Sequence, residues 1–413
     1  MVEDWDDRAQ PVAVGPPRRG MTRAARISAE RNRRRRRTMA GLAVAVLLVV
    51  VAATVFLGSR LWHSMFGAPS DYAGEGGSDV VIEVHDGDST TAIGQTLLDA
   101  EVVATVQGFV EAAASNQAMA AIQPGFYKVR TELPASSAVD RLVDPANRVG
   151  NFTIPEGRQL DDMTDVRTGA ITPGVLSLIS QATCTDLDGA QACVSVDDLR
   201  NAASADALDM LQVPPWATEP VTAMGSDHRR LEGLIAAGTW NVDPSATSAE
   251  ILASLISASA VRYETGGLLD TASAMNISPY DVLVVGSLVQ RESLPQDFPK
   301  VARVIYNRLA ANRKLEFDST VNYSLDRQEI ATTDADRARV TPWNTYASVG
   351  LPATPICSPS EAALAAAERP DPGDWLYFVT IDMQGTTLFT REYEQHLANI
   401  EIARRNGVLD SGR

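Results

Sequence analysis

One acidic residue, Glu292, lies where a carboxyl group could carry out chemistry. Three apolar residues precede it at helical spacing: Val285, Leu288 and Val289. Glu292 falls seven residues after the first of them, so it shares the apolar face of the predicted helix. Desolvation on such a face raises the pKa of a carboxyl group, as a general acid near neutral pH requires. The spacing therefore predicts that Glu292 protonates a leaving group inside a cleft.

A structural role for Glu292 is the alternative. The carboxylate could form an ion pair near Arg291, or with Arg303 or Arg308 on the next helix. It could also be exposed at a frayed helix end. Spacing alone does not decide between these interpretations, since structural ion pairs also perturb pKa values.

Helix start and stop signals mark the two helices that would position Glu292. Ser278 is a cap residue, and Pro279 occupies the first helical position behind it. Pro295 ends this helix, and a second is predicted from near Pro299. The inner face of the second helix is predicted to consist of Val301, Val304, Ile305 and Leu309.

Residues 80–130 have the pattern of a small βααβ unit. VVIEV and FYKVR alternate like strands, and helices are predicted over Ala92–Leu98 and from Val106 to Ala114. A third helix is predicted from a cap near Ser137. A further capping box, Thr247-x-x-Glu250, predicts the start of another helix.

The charge of the 413-residue chain, −16 in total, is unevenly distributed. Residues 1–38 contain eleven arginines and five acids, a net of +6, so the remainder carries −22. Phosphate binding needs clustered cations on a folded face, and the acidic remainder of the chain predicts no such cluster. The composition therefore excludes nucleic acid as the main partner.

An apolar run from Met39 to Leu57 has no charged residue and is long enough to span a hydrocarbon core. Five arginines, Arg33–Arg37, precede it and a single one, Arg60, follows. This asymmetry predicts a transmembrane helix at 39–58 with the N-terminus in the cytoplasm. The alternative is a cleaved signal peptide, whose apolar stretch is usually shorter.

Cysteine and histidine suggest little metal chemistry. In an oxidising exterior, Cys184 and Cys193 could close a small loop; the alternative is three unpaired thiols, with Cys357. The four histidines are isolated and lack metal-ligand spacing. We expect no metal site and no cofactor.

Several segments carry a further pattern. SLVQRES at 287–293 resembles the helix that carries the catalytic Glu in the YceG-like endolytic murein transglycosylases (the MltG family), and Glu292 takes its position. The resemblance continues through KVARVIYNRLAANRKLEFDSTVNYSL at 300–325 and TPWNTYASVGLPATPICSP at 341–359. It also includes TIPEG at 153–157, LEG at 231–233, WLYFV at 375–379 and the closing segment from Phe389 to His396.

The resemblance implies a catalytic residue and a set of substrate-binding residues. Glu292 is the implied catalytic acid and base. The implied substrate-binding residues are Asp318, Thr320, Tyr323, Asn344, Thr345, Tyr346 and Glu232. For each of these, a capping, turn or core role is the alternative.

The implied reaction is cleavage of the β-1,4 bond between N-acetylmuramic acid and N-acetylglucosamine in peptidoglycan, forming a 1,6-anhydro end. One carboxyl group suffices, because the muramic C6 hydroxyl is the nucleophile. A muramidase-type hydrolase would need a second carboxylate, for which Asp318 is the nearest candidate. A non-catalytic cell-wall-binding scaffold is the remaining alternative.

Three positions depart from the family pattern. Gln290 stands where many relatives have a second Glu, and Thr387 stands where the family often has a His. The segment after LEG reads LIAAGTW, where relatives usually have an aromatic run with F-P-D-T. The region around Cys184 and Cys193 resembles a local insertion.

Together these observations predict an α+β fold on a single N-terminal transmembrane helix. The predicted parts are a cytoplasmic tail (1–38), the span (39–58), a flexible linker (59–79), a subdomain (80–149) that the resemblance implies is LysM-like, and a mixed α/β catalytic region (150–413, core 270–413). The catalytic part would lie outside the cytoplasm at the plasma membrane, acting on glycan strands. The resemblance adds peptidoglycan synthases as possible partners.

Overall fold

The computed structural model describes residues 71–165, 168–206, 208–325 and 332–408. The predicted tail at 1–38 and the predicted span at 39–58 lie outside these ranges. So does the linker before residue 71. Within them, α and β elements are mixed along the chain, in agreement with the predicted α+β class.

The first part of the chain contains most of the strands. The strands up to residue 192 are β1 (Asp79–Val84), β2 (Gly125–Arg130), β3 (Arg148–Val149), β4 (Asn151–Ile154), β5 (Met163–Thr164), β6 (Ile171–Thr172), β7 (Thr185–Leu187) and β8 (Ala190–Ala192). The helices up to residue 223 are α1 (Thr90–Asp99), α2 (Val106–Ala114), α3 (Ala135–Val143), α4 (Val175–Thr183), α5 (Val196–Ser204) and α6 (Pro215–Ala223).

The rest of the chain is mostly helical. Its strands are β9 (Gly238–Asn241), β10 (Tyr377–Thr380) and β11 (Thr387–Thr390). Its helices are α7 (Ser248–Thr265), α8 (Leu268–Met275), α9 (Pro279–Glu292), α10 (Phe298–Ala310), α11 (Asp318–Asn322), α12 (Asp334–Ala338), α13 (Glu361–Glu368) and α14 (Tyr393–Arg405). Short 3₁₀ helices lie at Gln117–Ala121, Pro145–Asn147, Leu208–Leu211, His228–Leu231 and Pro295–Asp297.

The predicted order of strand, two helices and strand is present at the N-terminal end. β1 and β2 pair antiparallel, with Ile82 opposite Tyr127, and α1 and α2 lie between them in the chain. Phe109 and Leu97 are fully buried in a core of their own with residues of both strands. Ser89 caps α1 by accepting a hydrogen bond from the Ala92 backbone N–H.

The predicted capping box at Ser137 is wrong. Helix α3 begins at Ala135, so Ser137 lies inside its first turn. The Ala135 N–H is instead satisfied by the Asp71 carboxylate, at 3.0 and 3.1 Å, from 64 residues away in the chain. A long-range carboxylate at the positive end of the helix replaces the local cap.

Local capping is present at two other predicted helix starts. Thr247 and Glu250 form the predicted capping box at α7. Ser278 caps α9 and accepts from the Asp281 backbone N–H at 3.0 Å, with Pro279 at the first helical position. Both predictions are confirmed.

Helix α9 is buried on every side, where the sequence predicted a single apolar stripe. Every residue from Val282 to Val289 is buried. Helix α13 packs closely against it at Gly286, where an added Cβ would lie 3.3 Å from the Leu364 side chain. The surrounding helices therefore hold α9 and its last residue, Glu292, in a fixed place.

Two pairings anchor the middle of the chain. β4 contains the first two residues of the TIPEG segment and pairs with β9. β9 overlaps the end of the divergent LIAAGTW segment. β7 and β8 form a hairpin closed by a Cys184–Cys193 disulfide. This hairpin contacts the start of β1. The Asp79 and Asp188 carboxylates each accept a hydrogen bond from the other residue's backbone N–H.

Membrane-spanning potential was assessed for the described residues alone. No single helix among them is both long and apolar enough to cross a bilayer. One pair, Leu268–Met275 and Pro279–Glu292, meets the criteria of length and composition together, with a bend of 100° between its members.

Candidate functional site

Glu292 is the last residue of α9 and its carboxyl is surrounded by protein. Desolvation raises its pKa to about 7. Part of the residue's surface remains accessible, as a group that must reach a ligand requires. This combination is the one expected for a general acid near neutral pH.

Two residues at the start of α11 face this carboxyl. The hydroxyl and backbone N–H of Ser319 lie close to it and lower its pKa, while the negative charge of Asp318 raises it. The Ser319 contact is looser than a well-formed hydrogen bond, since its buried hydroxyl meets no partner in full hydrogen-bond geometry. The Ser319 hydroxyl is therefore available to donate a hydrogen bond to the Glu292 carboxyl when its charge changes during a proton transfer.

The proposed ion pairs of Glu292 are not formed within the described part of the chain. Arg303 donates to the carbonyls of Asp371 and Pro370, and Arg308 donates mainly to the carbonyls of Leu376, Lys314 and Leu315. Arg291 acts on Glu292 only through its charge, which lowers the pKa. No cation neutralises Glu292 by direct contact, so desolvation dominates.

Asp318 is occupied by hydrogen bonds. Its Oδ1 accepts from the Tyr346 hydroxyl at 2.8 Å and from the Thr332 hydroxyl at 2.7 Å. Arg337 reaches both carboxylate oxygens at 3.1 Å and lies over the Tyr346 ring. These bonds fix the charge of Asp318 beside Glu292 and connect α11 to the segment that carries Tyr346.

Five of the predicted substrate-binding residues are buried, and three of these, Thr320, Asn344 and Thr345, lie close to one another. Thr320, Asn344 and Thr345 are 0%, 2% and 2% exposed. The Thr345 hydroxyl lies 2.9 Å from that of Thr320 and accepts from the Phe317 N–H. The Asn344 side chain donates to backbone carbonyls, one of them that of Arg339, and accepts from the Tyr346 N–H. In this conformation they hold Asp318 and Tyr346 in place, and direct contact with a sugar stays a prediction.

Glu232 and Tyr323 form a separate buried pair. The Glu232 carboxylate, 1% exposed, accepts from the Leu160 N–H at 3.1 and 2.9 Å and from the Tyr323 hydroxyl at 2.8 Å. Desolvation raises the pKa of Glu232 to about 8, against the opposing effect of these hydrogen bonds. The pair joins the LEG segment, the chain after TIPEG and the end of α11.

A cavity of about 230 Å³ lies beside this pair. Its polar lining includes Glu232 and Tyr323, together with Asp161, Asp162 and Arg229. Glu292 is not among its lining residues. The predicted site residues thus fall into two groups, Glu292 with Asp318 and Tyr346, and Glu232 with Tyr323, at opposite ends of α11.

Two residues near Glu292 were not singled out from the sequence. Ser319 lies within the DSTV segment, next to the predicted Asp318, so proximity in the chain was a usable signal. Arg337 lies 19 residues beyond Asp318 and had no signal, because no local pattern links its guanidinium to that carboxylate.

The departures from the family pattern have clear structural positions. The Gln290 side-chain carbonyl accepts from the Ser360 N–H at 2.9 Å, so this amide attaches α9 to the start of α13. Thr387 begins β11, and its hydroxyl lies 3.2 Å from that of Thr380 across the hairpin. His396 ends the closing segment that resembles the family's closing strands, but it lies in helix α14. Among the described residues, no group of His, Cys, Asp or Glu could hold a metal ion.

The sequence comparisons agree with one another. A profile described as the YceG-like family matches residues 82–402. A protein of Bacillus subtilis named endolytic murein transglycosylase is 25% identical over 77% of this chain and 82% of its own length. A Streptococcus pneumoniae protein of the same name is 27% identical over 44% of this chain and 33% of its own length.

A solved structure shares the fold. The crystal structure of a YceG-like protein from Listeria monocytogenes aligns with a TM-score of 0.50 at 23% identity. The alignment covers 78% of this chain and 98% of that one.

Proposed function

Because the chain belongs to the YceG-like family, we propose that it is a membrane-anchored endolytic transglycosylase in which Glu292 is the catalytic acid and base. Its curated relatives are named endolytic murein transglycosylases, and the chain is accordingly an enzyme that acts on peptidoglycan. The bond it cleaves is the β-1,4 linkage from N-acetylmuramic acid to N-acetylglucosamine inside a glycan strand.

The observation that carries the proposal is the environment of Glu292. Its pKa of about 7 leaves a large protonated fraction at neutral pH, and no cation contacts it within the described residues. The protonated carboxyl donates to the glycosidic oxygen as the bond to the muramic C1 breaks. The resulting carboxylate then accepts the proton of the C6 hydroxyl, whose oxygen bonds to C1 and closes the 1,6-anhydro ring.

The state of Asp318 supports ring closure over hydrolysis. A hydrolase needs a second carboxylate that can activate water or attack C1. The Asp318 oxygens are already engaged by Tyr346, Thr332 and Arg337. Asp318 therefore acts through its charge, which keeps the Glu292 proton in place until substrate binds.

The remaining parts of the proposal concern location. The span at 39–58 would anchor the chain with residues 1–38 in the cytoplasm and the catalytic region (150–413) outside, where glycan strands are made. The antiparallel β1–β2 pair with two intervening helices supports a LysM-like subdomain at 80–149 that contacts the wall. Association with peptidoglycan synthases at the same membrane face is part of this proposal.

The decisive experiment is to digest purified glycan strands with the full-length protein and to analyse the new ends by mass. The proposal expects 1,6-anhydro ends, which Glu292→Gln fails to produce. Ordinary reducing ends would indicate a hydrolase. Glycan strands that stay intact after treatment with folded wild-type protein would favour the non-catalytic scaffold.

A further inference from the structure

A second cavity lies apart from Glu292 and from the Glu232 pair. It has a volume of about 340 Å³, between the C-terminal end of α7 and helix α13. Residues from both helices and from the preceding loops line it, and none of the residues that face Glu292 does. Cavities of this size fall in the range that binds small molecules and are too small for a polysaccharide strand.

An unpaired carboxylate lines this cavity. Glu368, the last residue of α13, is 6% exposed. Buried charges are normally hydrogen-bonded or paired with an opposite charge. Within the described ranges, the Glu368 carboxylate has neither a hydrogen-bond partner nor a cation within 4 Å. Burial raises the pKa of Glu368, and the positive charge of Arg369 offsets only part of this rise. A ligand that brings an ammonium group would remove this cost.

Two arginines supply the opposite charge at the same cavity. Arg369 is exposed and its guanidinium is unpaired among the described residues. Arg262 stacks on the Trp240 ring at 3.8 Å and makes only long hydrogen bonds, 3.4 and 3.3 Å, to the carbonyls of Ala237 and Thr239. Guanidinium groups in this state can take up a carboxylate.

Part of the remaining wall is apolar. Ala236, Tyr263 and Leu364 are each buried and line the cavity. The Tyr263 hydroxyl already donates to the Gly233 carbonyl, so the ring presents an apolar face. The lining as a whole combines two carboxylates, the buried Glu368 and the exposed Glu361, with two guanidinium groups and aliphatic surface.

We propose that this cavity is a binding site for a small zwitterion of the size of an amino acid or dipeptide. The ligand ammonium group pairs with Glu368, its carboxylate with Arg369 and Arg262, and its aliphatic part lies on Leu364 and Ala236. A neutral sugar would leave the Glu368 carboxylate without a cation, so the cavity favours a peptide end over a saccharide.

The test is equilibrium binding by calorimetry on the full-length protein in detergent, with Ala-Ala in both the L,L and D,D forms as probes. N-acetylglucosamine and an N-acetylated, C-amidated dialanine serve as uncharged comparisons. Saturable binding of a free dipeptide with a Kd of about 1 mM or tighter is expected, with the uncharged probes at least about tenfold weaker.

Variants assign the binding to the cavity. Glu368→Gln keeps the side-chain shape and should weaken dipeptide binding at least about tenfold, since a charged hydrogen bond is lost. Arg369→Gln should also weaken it. Glu219→Gln, at an exposed position on α6, is the matched control and should bind as wild type does.

The proposal is overturned if neither free dipeptide binds, if the uncharged probes bind equally well, or if Glu368→Gln binds like the control. Binding is measured without cleavage, so failure here is distinct from failure of the proposed reaction at Glu292.

Discussion

Two carboxyl groups, Glu292 and Glu232, have similar electrostatics and different surroundings. Desolvation raises the pKa of both, to about 7 and about 8. Glu232 is 1% exposed and accepts hydrogen bonds from Leu160 and Tyr323, so its oxygens are occupied. Glu292 keeps part of its surface accessible, and among the described residues its carboxyl meets only the loose Ser319 contact.

The difference teaches that a raised pKa alone does not identify the catalytic group. Glu232 connects three distant segments, and both of its oxygens already accept hydrogen bonds from the protein. Glu292 ends a rigid, buried helix and is available to a ligand on its open side. We infer that Glu232 positions the tyrosine end of α11, whose other end carries Asp318 beside Glu292.

The largest effect that we expect is on the pH dependence of the free energy of unfolding. The folded pKa of Glu232, about 8, exceeds its ordinary value of 4.5, so the folded protein holds the proton longer. The free energy of unfolding should therefore decrease as pH rises from about 5 to 8, by up to about 4 kcal/mol from this group. Urea titrations at several pH values measure it. Glu232→Gln should flatten the slope to the smaller Glu292 share, and an unchanged slope would contradict the assignment.

Truncation of Glu232 comes next in size. Glu232→Ala leaves the Leu160 N–H and the Tyr323 hydroxyl without an acceptor in the interior. At pH 6 we expect the free energy of unfolding to decrease by about 3 kcal/mol. Glu219→Ala on the exposed face of α6 is the control, with a change within about 0.5 kcal/mol. Equal values for the two variants would show that the Glu232 hydrogen bonds do not hold the fold.

Removing one hydrogen bond of the pair should cost less. Tyr323→Phe keeps the ring that packs edge-on to Trp343 and removes only the hydroxyl that donates to Glu232. The free energy of unfolding should decrease by about 1–2 kcal/mol. In a double-mutant cycle with Glu232→Gln, the two changes should be clearly non-additive. Additive values would separate Tyr323 from Glu232.

The smallest effect concerns the other carboxyl group. Wild-type kcat/KM should decrease as pH rises above about 7, because Glu292 must be protonated in the free enzyme. Asp318→Asn removes the negative charge that raises the Glu292 pKa, so this limb of the pH profile should move to lower pH by about half a unit. A limb that moves upward, or stays in place, would mean that Asp318 does not act on Glu292 through its charge.

The sequence predicted best what is decided by neighbours in the chain. Ser278 and Thr247 cap helices through backbone groups three residues away, and both starts were predictable. Ser137 failed because a carboxylate 64 residues distant, Asp71, caps that helix instead. The apolar spacing around Glu292 predicted its buried carboxyl, although it did not show that the whole helix is enclosed.

The roles of the other site residues depend on long-range contacts. Glu232 meets Leu160 and Tyr323 from 72 and 91 residues away, so no local pattern shows its carboxylate to be occupied. Thr320 and Thr345 resemble sugar-binding residues in sequence, yet they hydrogen-bond to each other in the interior. The unpaired carboxylate of Glu368 likewise follows only from the way α7 and α13 pack.

The most direct test of the account measures cleavage and stability together on a matched pair of variants, Glu292→Gln and Glu232→Gln, at pH 6. Glu292→Gln should lower glycan cleavage at least about 1000-fold without lowering the midpoint of unfolding. Glu232→Gln should lower the midpoint and keep cleavage within about tenfold of wild type. Substantial cleavage by Glu292→Gln, or its loss in a folded Glu232→Gln protein, would contradict the division between a chemical and a structural carboxyl group.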